Sequence, residues 1–159
     1  MANSFFMTID DFYISPFTGQ RTYNTEGQMS WIPMERNLRP TGIPRLDYVA
    51  QLLAEGVTDL DQLASRLRCK REHLNGWTYA MFGMNALKFR HQYIFRLADD
   101  LMRYTSLSLE QIARRVGCYS ASTLCQIYIK HRHVKPDAHR QAIRQPRDVG
   151  RFRVWEPAK

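Results

Sequence analysis

Proline is missing from a long stretch of this chain: none falls between Pro44 and Pro136. Because proline breaks helices, that gap suits an uninterrupted helical block. Cysteine is scarce too. The three present, Cys69, Cys118 and Cys125, are odd in number and lie inside helical patterns, which argues against a disulfide framework and for reduced thiols in a cytoplasmic chain. No run approaches the ~20 apolar residues of a membrane span. The start, Met1 to Phe6, lacks a basic segment, and Asp10-Asp11 interrupts any apolar run, so no export signal is expected. Gly-rich phosphate loops and Ser-His-Asp arrangements are absent from the sequence. The adjacent pairs Asp10-Asp11 and Asp99-Asp100 point in different directions on a helix, so they make no general acid/base pair, and no enzyme is expected.

Acidic residues are the minority charge. The net charge is +8, and residues 44 to 144 hold 16 Lys/Arg against 9 Asp/Glu, whereas residues 1 to 43 hold 3 against 4. Positive charge concentrated on one region is the footprint of a polyanion binder. A solvated basic surface is the alternative.

What the chain does have is an internal echo. Asp59-Leu60-Asp61-Gln62-Leu63-Ala64-Ser65-Arg66-Leu67-Arg68-Cys69 is answered 49 positions later by Ser108-Leu109-Glu110-Gln111-Ile112-Ala113-Arg114-Arg115-Val116-Gly117-Cys118. With one extra residue in the second copy, Leu74 then answers Leu124, Met84 answers Val134, and Arg90 answers Arg140. A fixed-period echo means one supersecondary unit used twice. Asp59 with Gln62 and Ser108 with Gln111 form capping signatures, followed by apolar residues at helical spacing, a short turn, and a second helical stretch from near Lys70 or Ser120. Helix, tight turn, helix is a helix-turn-helix pattern, whose second helix usually enters the major groove.

Helices are predicted near 45–55, 60–68, 70–81, 86–104, 109–116, 120–131 and 136–144. The fourth places Leu87, Ile94, Leu97, Ala98 and Leu101 on one stripe, and at 1.5 Å per residue it is roughly 28 Å long. The fold class is therefore all-α: two helix-turn-helix units, about 59–82 and 108–131, joined by a linker helix over about 86–104. Residues 1–43 differ in character, with seven aromatics (Phe5, Phe6, Phe12, Tyr13, Phe17, Tyr23, Trp31) and a turn at Ser15-Pro16-Phe17-Thr18-Gly19. They suggest an arm with a small hairpin, serving either to brace the helices or as a partner or self-association surface. Pro40, Gly42 and Pro44 mark its end. The tail, 145–159, carries Arg147, Arg151, Arg153 and Lys159 around Trp155, and is expected to fray or to touch phosphate.

Gly117-Cys118-Tyr119-Ser120-Ala121-Ser122-Thr123-Leu124, then Tyr128, Pro136 and Arg140, resemble the AraC/XylS signature, as does Thr105 to Ala113 ahead of it. In the first copy Leu63-Ala64, Leu74 and Gly83-Met84 match corresponding family positions. The resemblance covers about 45 to 144 and not residues 1 to 43. It implies a DNA-binding domain, here without the usual ligand-sensing domain, that places two recognition helices in successive major grooves of double-stranded DNA. It also implies a transcription activator touching RNA polymerase; no cofactor is expected. The sequence departs from the pattern at Cys118 (usually aromatic), His133 (usually Gly) and Ile94 (commonly Arg).

Carried over by position, the second recognition helix would present Ala121, Ser122, Thr123 and Gln126. A Gln carboxamide can bond bidentately to adenine. Ser120 would contact DNA or cap the helix, while Lys130 and Arg132 would face phosphate. The first recognition helix offers Lys70, Arg71, Glu72 and Asn75, with Gly76 where a long side chain would normally reach a base, so it is expected mainly to position the protein. Leu74, Trp77, Leu124 and Ile127 are assigned to the core. Cys118, Cys125, His131 and His133 match no common zinc spacing, so no metal is expected. Against the DNA-binding regulator stand a protein-interaction regulator on the same scaffold with weakened DNA binding, and an architectural DNA-binding protein of a mobile element or phage.

Overall fold

The two prolines that bound the proline-free stretch each start a helix. Pro44 opens α2 (Pro44–Ala54) and Pro136 opens α8 (Pro136–Ile143), positions where a missing N–H costs nothing. The structure, a computed structural model, describes residues 6–36, 38 and 41–156; readings that rest on Met1 to Phe5, Pro40 and Lys159 lie outside the described residues. Between the prolines run α3 (Leu60–Arg66), α4 (Arg71–Phe82), α5 (Ala86–Tyr104), α6 (Leu109–Arg115) and α7 (Ala121–Arg132), all within two residues of the expected bounds. Asp59 caps α3 by accepting from the Gln62 amide at 3.0 Å, and Asn85 caps α5 by accepting from Lys88 at 2.8 Å. Ser108 and Gln111 complete a reciprocal capping box on α6.

Helix α5 is the axis of the core. Phe89, Tyr93, Ile94, Phe95, Leu97, Ala98, Leu101 and Met102 are all buried along it, so burial wraps far more of the helix than one stripe. The expected stripe fails at its first residue. Leu87 is 48% exposed, because the first turn of α5 faces Ala86 and Phe89 to the core and leaves Leu87 on the other side. Ile94, at the position where the AraC/XylS pattern commonly has Arg, is fully buried and needs to be apolar. Leu74, Leu124 and Ile127 are core as expected, with Trp77 half-buried at its edge against Phe82.

The arm contains one more helix than expected, the single turn α1 (Ile9–Phe12), and the hairpin of β1 (Phe17–Tyr23) with β2 (Met29–Pro33). Phe12 enters an aromatic cluster with Phe82, Phe89 and Tyr93, at centroid separations of 5.4, 5.9 and 6.5 Å. The arm therefore braces the helices. The described part of the tail, up to Glu156, is not frayed. Its β3 (Phe152–Val154) pairs antiparallel with the other edge of β1, giving the order β2-β1-β3, and Phe152 stacks on Phe17 at 5.0 Å. Its basic residues hid this strand, because the pairing partner lies more than a hundred positions away in sequence.

The two aspartate pairs part as expected. Asp100 accepts from Tyr13 Oη at 2.8 Å and Arg96 at 2.7 Å, tying in the arm. Asp99 faces the other way and holds α7 and α8, accepting from Tyr128 Oη and Arg132 at 2.7 Å each, with His139 Nε2 at 3.0 Å. Asp10 pairs with Arg96 at 2.8 Å, and Asp11 caps the Thr8 amide at 2.7 Å.

Candidate nucleic-acid interface

Each unit sets its second helix on the first through an acid in the first turn of the first helix. In the first unit Asp61 pairs with Arg71 at 3.3 Å; in the second, Glu110 accepts from the Ala121 amide at 3.0 Å. Asp61 and Glu110 are equivalent in the repeat, and so are Arg71 and Ala121. The helices end alike as well. Gly83 (φ 72°) closes α4 and His133 (φ 57°) closes α7, both left-handed. The second copy thus places a histidine in a conformation that favours glycine, at about 1 kcal/mol.

The units also touch each other. Thr58, fully buried ahead of α3, donates from Oγ1 to the Val116 carbonyl at 2.7 Å, in the turn of the second unit. Gly117 follows, with φ 80°. A Cβ there would lie 2.2 Å from Thr58 Oγ1 and 2.5 Å from the Gly56 carbonyl oxygen. Only glycine admits this approach, and it fixes the turn of one unit against the entrance of the other. Cys118 beside it is 5% exposed, a compact core filler whose thiol pKa is raised by burial.

On α7, Ser122, Gln126 and Lys130 are exposed, and Ala121 and Thr123 are half-exposed. Ser120 accepts from the Thr123 amide at 3.3 Å and so serves as the cap, which engages its oxygen locally. Arg132, expected at phosphate, is turned inward. It pairs with Asp99 at 2.7 Å and lies 4.3 Å over the Phe95 ring. The carboxylate beneath the last turn outcompetes solvent for the guanidinium.

On α4, Lys70, Arg71, Glu72, Asn75 and Gly76 are all exposed. Asn75, however, holds the fold: its Oδ1 accepts from the Ala86 amide, the first of α5, at 2.7 Å. The second copy needs no such acceptor, because Pro136 stands where Ala86 does and has no N–H. Cys125 accordingly replaces Asn75. Two exposed side chains escaped the sequence reasoning. Tyr119, 84% exposed, precedes α7, and His73 is exposed on α4 where Thr123 lies on α7. The aromatic in the Gly-Cys-Tyr run was the available signal for the first; His73 gave none.

Among the described residues no three His, Cys, Asp or Glu side chains converge as a metal site. Instead His131 packs on His91 of α5 at 4.4 Å. Burial, then the neighbouring His131, Arg90 and Lys130, lower the His91 pKa to about 4.

No family model matches the sequence, and no curated protein matches it either. Solved structures do. The C-terminal domain of AraT, a response regulator from Geobacillus stearothermophilus, is 19% identical with a TM-score of 0.57, over 69% of this chain and 91% of that one. The DNA-binding domain of AdpA, a global transcriptional factor solved in complex with a target DNA, is 23% identical with a TM-score of 0.53, over 62% and 91%. An AraC-type DNA-binding-domain regulator from Chromobacterium violaceum is 23% identical with a TM-score of 0.50, over 65% and 95%.

Proposed function

The fold is that of AraC-type DNA-binding domains, and from it we infer that this chain is a sequence-specific DNA-binding regulator of transcription. The observation that carries this reading is the duplicated helix-turn-helix, with each second helix leaving a polar face exposed while its other face packs on the shared core. A 19-residue helix joins the units, and at about 1.5 Å per residue it is compatible with grooves one turn of DNA apart. That AdpA was solved with its target DNA supports the same role here.

In this reading residues 44–144 form the DNA-binding domain, 1–43 the arm and 145–159 the tail. Helix α7 reads bases through Ala121, Ser122, Thr123 and Gln126, with Lys130 on phosphate and Ser120 fixing the helix start. Helix α4 positions the protein through Lys70, Arg71, Glu72 and Asn75. The chain acts in the cytoplasm without enzymatic activity, and contact with RNA polymerase would make it an activator. The outer edge of β2, with Met29 and Ile32 about half exposed, is where a protein partner or a second copy would add.

Selection from a random duplex library, titrated at two salt concentrations, tests the proposal. Two half-sites about one helical turn apart are expected. Strong salt dependence with no motif would replace regulator by architectural binder, and no binding at moderate salt would end the DNA reading.

A further inference from the structure

A cavity of about 350 Å³ lies where the arm, the tail, the end of α2, α5 and the second unit meet. Its wall is mostly apolar, with Ile14, Leu97, Leu101, Leu107 and Trp155 in it. Two polar groups in that wall lack what they need. Tyr93 is 1% exposed, and its hydroxyl is sealed from water without a hydrogen-bond partner. Arg36 donates from Nε to the Ser15 carbonyl at 2.8 Å and lies 4.9 Å over the Trp155 ring, but among the described residues no carboxylate pairs with it. Burial lowers its pKa, as expected of a cation without a counter-charge. The other charges at the rim nearly cancel, since Arg115 is already paired with Glu156 at 2.9 Å, leaving Arg114 against Glu55.

We propose that this cavity binds a small monocarboxylic acid with an apolar body, the carboxylate accepting from the Nη groups of Arg36, which have no partner among the described residues, and, by displacing the atoms that cover it, from the Tyr93 hydroxyl. A planar guanidinium fork stacked on an aromatic ring matches a carboxylate bidentately. Burial raises the Tyr93 pKa, so the phenol stays neutral and remains a donor. At interior packing density the cavity takes a molecule of about a dozen non-hydrogen atoms, within the usual size range of ligand sites. The ligand would lie between the end of α2 and Gln111 and Arg114 of α6 in the second unit. It would thereby set how α6 sits against α2 and α5, and so how the second unit is presented to DNA; this consequence alone rests on the DNA-binding reading.

The test uses the full chain and three acids of about ten to thirteen non-hydrogen atoms: 4-phenylbutyrate, octanoate and indole-3-acetate, with 4-phenylbutyramide as the uncharged control. Binding is followed by thermal shift and calorimetry without DNA. At least one acid is expected to raise the melting temperature saturably, with the amide at least about tenfold weaker. Arg36→Gln and Tyr93→Phe should each weaken that acid by about tenfold, roughly the loss of one hydrogen bond to a charged group. Tyr93→Phe should leave the unliganded protein as stable as before, because its hydroxyl has no partner to lose. Absence of any shift, an amide as good as the acid, or full affinity in both variants overturns the proposal. A chain that binds the acid but no DNA would sink the regulator reading and leave this one standing.

Discussion

The guanidinium of Arg140 donates from Nη2 to the Leu107 carbonyl at 2.7 Å, and Arg90, its counterpart in the first copy, donates from Nε to the Thr58 carbonyl at 2.9 Å. Leu107 and Thr58 each immediately precede a helix cap, Ser108 and Asp59. In both copies, then, an arginine on the helix after the unit holds the chain that enters it. Arg140 does more, also reaching the carbonyls of Met102 at 3.1 Å and Thr105 at 2.8 Å. Arg144 backs up those two but not Leu107. Arg140→Lys keeps the charge and loses the fork, and should lower stability by about 2 kcal/mol, against about 1 kcal/mol for Arg90→Lys. Urea midpoints decide it; an unmoved midpoint in Arg140→Lys would show the fork to be dispensable.

This pairing marks how far the sequence could be followed. The match of Arg90 to Arg140 was visible in the echo, as were the caps, because both are local or periodic. Ala86 to Tyr104 announced α5 by its helical spacing and length, though not by its Asn85 cap. What stayed hidden was non-local. Nothing near Phe152 says that it stacks on Phe17, and nothing near Arg132 says that Asp99 waits a full helix away. The same holds for the candidate interface. Exposure of Gln126 and Lys130 followed from helical period, whereas the use of Asn75 Oδ1 on Ala86 depended on where α5 begins in space.

Two glycines should respond in opposite directions. At Gly117 a methyl would collide with Thr58 and Gly56, and φ is already 80°. Gly117→Ala should cost about 3 kcal/mol, strain and overpacking together. Gly76 is helical with nothing within 4 Å of a Cβ, so Gly76→Ala should add about 0.8–1 kcal/mol. Thermal melts of both variants check this, and a loss at Gly76 would mean its small size serves the fold.

Stability should depend on pH through His91. Its folded pKa, about 4, lies below the ordinary 6.5. Between those values the unfolded chain binds a proton that the folded chain refuses, so stability is full above about 6.5 and falls as pH drops toward about 4. The groups responsible beyond burial are His131, Arg90 and Lys130. Urea midpoints at pH 7.5 and 5 should differ more for the parent than for His91→Gln; equal differences would assign the loss to other groups.

The base reading and phosphate binding proposed for α7 would separate by how a loss is distributed over sequences. Gln126 and Lys130 are both exposed, four positions apart on the same helix. A carboxamide that bonds one base edge gives up discrimination at that base alone, whereas an ammonium on phosphate gives up affinity for every duplex. Gln126→Ala should therefore relax preference at one position by about 1–3 kcal/mol. Lys130→Ala should weaken all sequences alike and reduce the salt slope by about one. Titrating each variant on the selected site and its single-base variants at two salt concentrations distinguishes them. A uniform loss for Gln126→Ala would move it to the backbone, and a loss confined to one sequence for Lys130→Ala would move it to a base.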